Sequence, residues 1–341
     1  MQIIICCVGL VLISFFIPKK YFKIYMLISA ILLPCLYFFI EPSSEYDLSR
    51  HYEMFDIVRS YKFKDLTSTG NYALTIYFEE YKAYIILLWI VSRLNIKELL
   101  PVFTGIIVYC IEFGLANKIL KQNSAEKWKY VLGYILVILL TDFLAVSGIR
   151  NILSVVACTY FIYLDVVEKK HRILCWIMYI ICASIHPVCV LYIVMRLCLI
   201  LITKYTGLYI KVGIVFGFTV LPLIYPYIEM YINNIPILSE AMRVFLNYVT
   251  RTDTVLIKST FYSNLLLYVL LGILLFLYSK IEKREERDSM FEFAIISLLF
   301  TIGSVNQYDI FVRYRMVAVP LIIIYGLKIV CTVGGKNFFS I

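Results

Sequence analysis

The chain has 341 residues, of which 62% are hydrophobic and only 16% charged, and its mean hydropathy is +0.86. That composition excludes an ordinary soluble domain and supplies apolar sequence for roughly ten spans of about 20 residues. The net charge of +9, from 32 basic and 23 acidic residues, reads in such a chain as cytoplasmic loops and not as a nucleic-acid footprint.

Apolar runs broken by short polar loops recur from end to end, with no long soluble insertion, low-complexity tract or repeat. The sequence therefore predicts one membrane-embedded domain over 1–341. The first run, Gln2 to Ile17, has no basic residue before it and is followed by Lys19 and Lys20. This order is the reverse of a secretory signal peptide and predicts an uncleaved span with the N-terminus outside. Further spans are expected at 22–40, 99–117, 130–147, 151–167, 173–185, 188–203, 209–228, 262–279, 290–306 and 316–332. Basic residues at Lys19 to Lys23, Lys118 to Lys129, Lys169 to Arg172, Lys204 with Lys211, and Lys280 to Arg287 set the cytoplasmic side and place the C-terminus inside.

Two segments depart from simple alternation. Ala83 to Ser92 is too short to cross a hydrocarbon core of about 30 Å unless it recruits Phe78 to Lys82, which carries Glu79 and Glu80. Read as a half-span it gives about 11 crossings, and read as a span about 12. Ile173 to Thr203 is 31 residues, about 46 Å as one helix. Pro187 cannot donate a helix hydrogen bond and disfavours helix at His186, so a break into two short spans is expected there.

This orientation leaves two large loops facing outward, 41–82 and 229–261, each expected to carry an amphipathic helix on the membrane surface. In the first, Leu48, Tyr52 and Phe55 share one face while Asp47, Arg50, His51 and Met54 share another. In the second, Met242, Phe245, Leu246 and Val249 form the apolar stripe, with Arg243, Asn247 and Arg251 opposite. Tyr46, Tyr52, Tyr61, Tyr72, Tyr77 and Tyr81 crowd the first loop, as an interfacial belt or as platforms for sugar rings. All ten cysteines fall inside apolar runs and read as small buried hydrophobes, not as a disulfide framework or zinc site.

Of three histidines, His171 lies in a basic loop, while His51 and His186 fall on or near the outward half. Ionisable groups at membrane depth mark function by default, with helix packing as the alternative for His186. Arginines at outer span ends run against the positive-inside bias. Arg150, in "AVSGIRNILSVVA", and Arg313 and Arg315, in "GSVNQYDIFVRYRMVAVP", occupy two such turns. A guanidinium is permanently charged and presents a planar fork matching phosphate oxygens, so these arginines suit a lipid-linked pyrophosphate. The alternative is snorkelling to headgroups, or pairing with Asp142 and Asp309. Arg196, Lys211 and Lys328 read as snorkellers on the cytoplasmic side.

Three stretches together resemble the EpsG-type branch of the Wzy-like polysaccharide polymerases. They are "EYDLSRHYEMFD", "GIRNILSVVACTYFIYLDVVEKKHRILCWIMYIICASIHPVCVLYIVMRL" and "YDIFVRYRMVAVPLIII". The family pattern is an Asp-centred tyrosine-rich helix, then Gly-x-Arg-Gln with its span, a short basic loop, a small-residue run ending in His, and a terminal Arg-containing turn. Asn151 stands where the family usually has Gln, and Pro187 follows His186 where the family usually has a flexible polar or small residue.

The resemblance implies transfer of a growing glycan from undecaprenyl pyrophosphate to a lipid-linked repeat unit, at the outer face of a bacterial cytoplasmic membrane. It implies membrane lipids, a flippase and chain-length regulator proteins as partners, and no nucleic acid. No cofactor is expected, and the first outer loop has no Asp-x-Asp pair to hold a metal. Such a transfer gathers negative charge on the departing phosphate and positive charge on the anomeric carbon. Arg150 with Arg313 or Arg315, and Arg50 beside them, are the candidate pyrophosphate ligands. Asp47 and His51, four residues apart, are the candidate catalytic pair, with His186 next. Asn151, Arg243, Arg251 and Tyr52 are candidate glycan contacts. A lipid-linked oligosaccharide flippase, an O-antigen ligase and a membrane O-acyltransferase are the competing readings. The first usually shows a two-half repeat, and the last leaves the arginines unexplained.

Overall fold

The computed structural model describes residues 2–42, 47–66, 78, 81–204, 213, 216–217, 219–220, 224, 257–282, 288–305 and 308–333. Among these residues every regular element is a helix and none is a strand. In chain order they are α1 (Gln2–Ser14), α2 (Phe22–Cys35), α3 (Asp47–Arg59), α4 (Lys82–Ser92), α5 (Leu99–Gln122), α6 (Lys127–Ser147), α7 (Ile149–Ile162), α8 (Arg172–Ile185), α9 (Val188–Lys204), α10 (Ile257–Ile281), α11 (Ser289–Gly303), α12 (Tyr308–Arg313) and α13 (Arg315–Val333). Short 3-10 turns flank α2, and a π turn, Tyr163–Val167, extends α7.

Among the described residues, five stretches are long and apolar enough to cross a membrane: Lys19–Phe39, Leu99–Gln122, Ile149–Val167, Phe261–Ile281 and Phe311–Thr332. Large apolar side chains stand out from several helices, such as Ile4, Leu139, Ile173 and Leu266. In water such rows of exposed Ile and Leu are a liability, whereas in lipid they are the solvated surface. The architecture is that of an all-α membrane protein. The span expected at 209–228 lies largely outside the described residues, as does the amphipathic helix expected in 229–261 with Arg243 and Arg251.

Where helices stop, the chain chemistry says why. Asn95, Ser124, Lys169 and His171 adopt the left-handed backbone that ends or reverses a helix in few residues. Asp288 caps α11, its carboxylate accepting the Phe291 N–H at 3.1 Å. The break expected at His186–Pro187 is present. Helix α8 ends at Ile185, His186 is non-helical, and the Pro187 carbonyl accepts the Val190 N–H at 2.9 Å to open α9.

The described residues fall into two units. The first holds 1–160, 184–186 and 326–341, and the second 161–183 and 187–325. In the first, α2 packs along α5 and α5 along α6. Tyr134 anchors that core, stacking on Phe113 with centroids 5.2 Å apart and donating its hydroxyl to Ser29 at 2.8 Å. Gly105 lets α5 close on α2. A Cβ there would stand 2.8 Å from the Pro34 side chain and 2.9 Å from the Tyr37 ring. Buried Glu112 accepts a hydrogen bond from Thr141.

In the second unit Tyr192 packs on Phe293, and Phe300 on Tyr314. Arg196, expected to snorkel, instead pairs with buried Asp165 at 2.6 Å, and Asp165 also accepts the Tyr179 hydroxyl at 3.2 Å. A carboxylate at that depth holds the guanidinium inward because its own desolvation is offset only by such partners.

Candidate functional site

Helix α3 forms because apolar residues recur at helical spacing, with Asp47 in the first turn and Arg59 in the last, each suited to the helix dipole. Its buried side is Leu48, His51, Tyr52, Met54, Phe55 and Val58, and its open side Arg50, Glu53, Asp56 and Arg59. The sequence reading placed His51 and Met54 with Arg50 on the polar face. At about 100° per residue, however, position 51 falls between 48 and 58, at the centre of the buried arc. The helix lies against α4 through Tyr84, Ile85, Leu88 and Val91, and Ile149 completes this core. Helix α3 is therefore tied down by the apolar cluster it shares with α4.

That packing fixes His51. Its Nδ1 lies 2.8 Å from the Tyr84 hydroxyl, and its Nε2 lies 3.5 Å from the Asp47 carboxylate. Burial lowers the pKa of His51, and the positive charges of Arg150 and Arg50 add to this; Asp47 works the other way. Burial thus favours the neutral imidazole. With the ring proton on Nε2 facing Asp47, Nδ1 accepts from Tyr84.

Arg150 enters from α7, two residues after Gly148, and is only 8% exposed. Its guanidinium lies over the Tyr81 ring at 4.2 Å from the centroid, and 5.5 Å from that of Tyr84. The sequence placed it at an outer lip, but the structure covers it with two aromatic faces. A guanidinium is weakly hydrated and planar, so ring faces replace its water at modest cost. Tyr81 also stacks with His186, centroids 6.3 Å apart and rings inclined by 24°. His186 is 2% exposed.

Four of the sequence-predicted residues, Asp47, His51, Arg150 and His186, are thus drawn into one region of the first unit through Tyr81 and Tyr84. Asn151 follows Arg150 and is half-buried, with its side-chain oxygen making no hydrogen bond among the described residues. Arg50 is exposed on the open face of α3. Tyr52 is 7% exposed, and its phenol is pushed up to about 12 by burial and by the charge of Glu98. Arg313 and Arg315 belong to the second unit, where they flank buried Tyr314.

The residues that sequence reasoning passed over are Tyr81 in its specific role and Tyr84 altogether. Their signal was present: two tyrosines three apart open an apolar run too short to cross a bilayer. Among the described residues no three His, Cys, Asp or Glu side chains are grouped to hold a metal ion.

Chemically, the region pairs a buried permanent cation with a neutral imidazole backed by a carboxylate. The first suits an anion whose charge grows during reaction, and the second suits proton transfer. No family model, curated protein or solved structure matches this chain.

Proposed function

We propose that this chain is a membrane glycosyltransferase, a bacterial surface-polysaccharide polymerase of the EpsG-type, Wzy-like kind. The observation that carries the reading is the convergence of Arg150, His51 and His186 through Tyr81 and Tyr84, with Asp47 behind His51. In the proposed reaction an acceptor hydroxyl on one lipid-linked repeat unit attacks the anomeric carbon of another glycan. The new bond joins acceptor oxygen to that carbon, and the bond from carbon to pyrophosphate breaks. Arg150 offers its N–H edge to the departing pyrophosphate while its planar face stays on Tyr81. The hydroxyl proton passes to the Tyr84 phenol oxygen as the phenol gives its own proton to Nδ1 of His51, whose ring is oriented by Asp47.

The same reading assigns about 11 crossings in the bacterial cytoplasmic membrane, α3 and α4 on the outer side, the N-terminus outside and the C-terminus inside. It implies a flippase and a chain-length regulator as partners. Analysis of lipid-linked intermediates in a deletion strain tests it. Single repeat units on the outer leaflet, cleared by the wild-type gene and not by one carrying Arg150→Lys, are expected. Units trapped on the inner leaflet would mark a transporter. Long lipid-linked chains awaiting transfer would mark a ligase, and normal chain length with lost acylation an acyltransferase.

A further inference from the structure

We infer that the cleft between the turn after α2, the open face of α3 and the loop before α5 seats a sugar unit bearing no negative charge, an inference that rests on the glycan-transfer reading above. The cleft measures about 770 Å³, room for a sugar unit or two. Among the described residues, Glu41, Glu53, Asp56 and Glu98 line it against a single ammonium, Lys97. Carboxylates only accept hydrogen bonds, so this wall matches a ligand rich in hydroxyl or amine donors. The excess of three negative charges repels phosphate and uronate. The pyrophosphate and the sugar are therefore sorted to different places, the first to Arg150 and the second to the cleft.

The second observation is Tyr52, which also lines the cleft. It is 7% exposed, yet its hydroxyl has no hydrogen-bond partner among the described residues, while the field of Glu98 acts on it. Buried polar groups are almost always bonded, and one left open beside a cleft is a group a ligand completes. Lys97 holds its ammonium 5.4 Å above the Tyr52 ring centroid, fixing the phenol in place. Phe38 and Phe39 add aromatic surface to the same wall, against which the apolar face of a pyranose stacks. The open face of α3 thus meets this cleft while its buried face carries His51, so one rigid helix relates sugar to base.

The test uses the purified full-length chain in lipid nanodiscs on a glycan array of neutral, amino-sugar and uronic-acid oligosaccharides. Binding of neutral or amino sugars, with uronic acids passed over, is expected. Tyr52→Phe should weaken that binding about fivefold and the double variant Glu53→Gln, Asp56→Asn about tenfold or more. Glu53 and Asp56 are exposed, so an unchanged unfolding curve accompanies the loss. A silent array, uronic acids bound as well as neutral sugars, or unchanged binding in the double variant would overturn the assignment. A silent array in a chain whose deletion still accumulates single repeat units removes the cleft and leaves the polymerase. The expected array pattern beside normal polysaccharide in the deletion strain removes the polymerase reading on which the assignment rests.

Discussion

Arg150 works through shape as much as charge. A lysine there keeps the charge but lacks the flat face that covers Tyr81 and the two-pronged edge proposed to meet the pyrophosphate. Arg150→Lys should lower turnover of lipid-linked repeat units on the order of tenfold or more, the equivalent of losing one charge-assisted bond, at unchanged abundance in the membrane. A near-normal ladder of long chains would show that charge alone suffices. His51 makes a different prediction. Its pKa is lowered in the folded protein, so as pH falls below about 6.5 the unfolded chain takes up a proton that the native chain refuses. Stability contributed above that pH is lost through the window beneath it. The unfolding temperature in detergent should fall between pH 7 and 5.5, and His51→Gln should flatten that slope. The candidate residues were legible because arginine and histidine are rare where lipid makes them expensive. Tyr84 was not, because an aromatic near a membrane interface is ordinary until a histidine is seen 2.8 Å from its hydroxyl.

Among elements, the tight crossing of α5 over α2 carries its own prediction. Gly105→Ala inserts a methyl group against a proline ring and a tyrosine ring, neither of which can yield easily. The cost should be about 1–3 kcal/mol, read as a lower unfolding temperature with unchanged helix content. Most helices were legible from apolar run length, and the break at Pro187 from backbone chemistry. The face of α3 was misjudged for a physical reason. Its ends carry charges on both sides, and only the cluster on α4 decides which arc is buried. The pair between Asp165 and Arg196 spans 31 positions, with no periodic signal to announce it.

At the scale of the molecule, the proposed orientation is checked by single-cysteine labelling in an otherwise cysteine-free chain. Asp56→Cys should react with an impermeant reagent from outside, and Asn123→Cys and Lys170→Cys only after the membrane is opened. Labelling of position 123 from outside would show that α4 crosses the bilayer. The membrane class was legible from composition alone, because no soluble core accommodates 62% hydrophobic residues. How the chain divides into two units was not, since 184–186 and the described residues from 326 onward join the first unit from far along the sequence, and such long-range docking leaves no local pattern.

Helix α4 spans 11 residues, about 16 Å, a length about half the thickness of a hydrocarbon core. A segment of that length is too short to be threaded into the bilayer by itself during synthesis. It can settle only once α5 offers a neighbour and α3 closes over it, because bare helix ends in hydrocarbon strand their amide and carbonyl groups. The aromatic cover on Arg150 arrives with α4, and the arginine itself arrives later, on α7. The lid is thus made before the charge it will shield. A chain halted before α7 would hold Tyr81 and Tyr84 without their cation, and the pocket would come into being only as a late event of membrane integration.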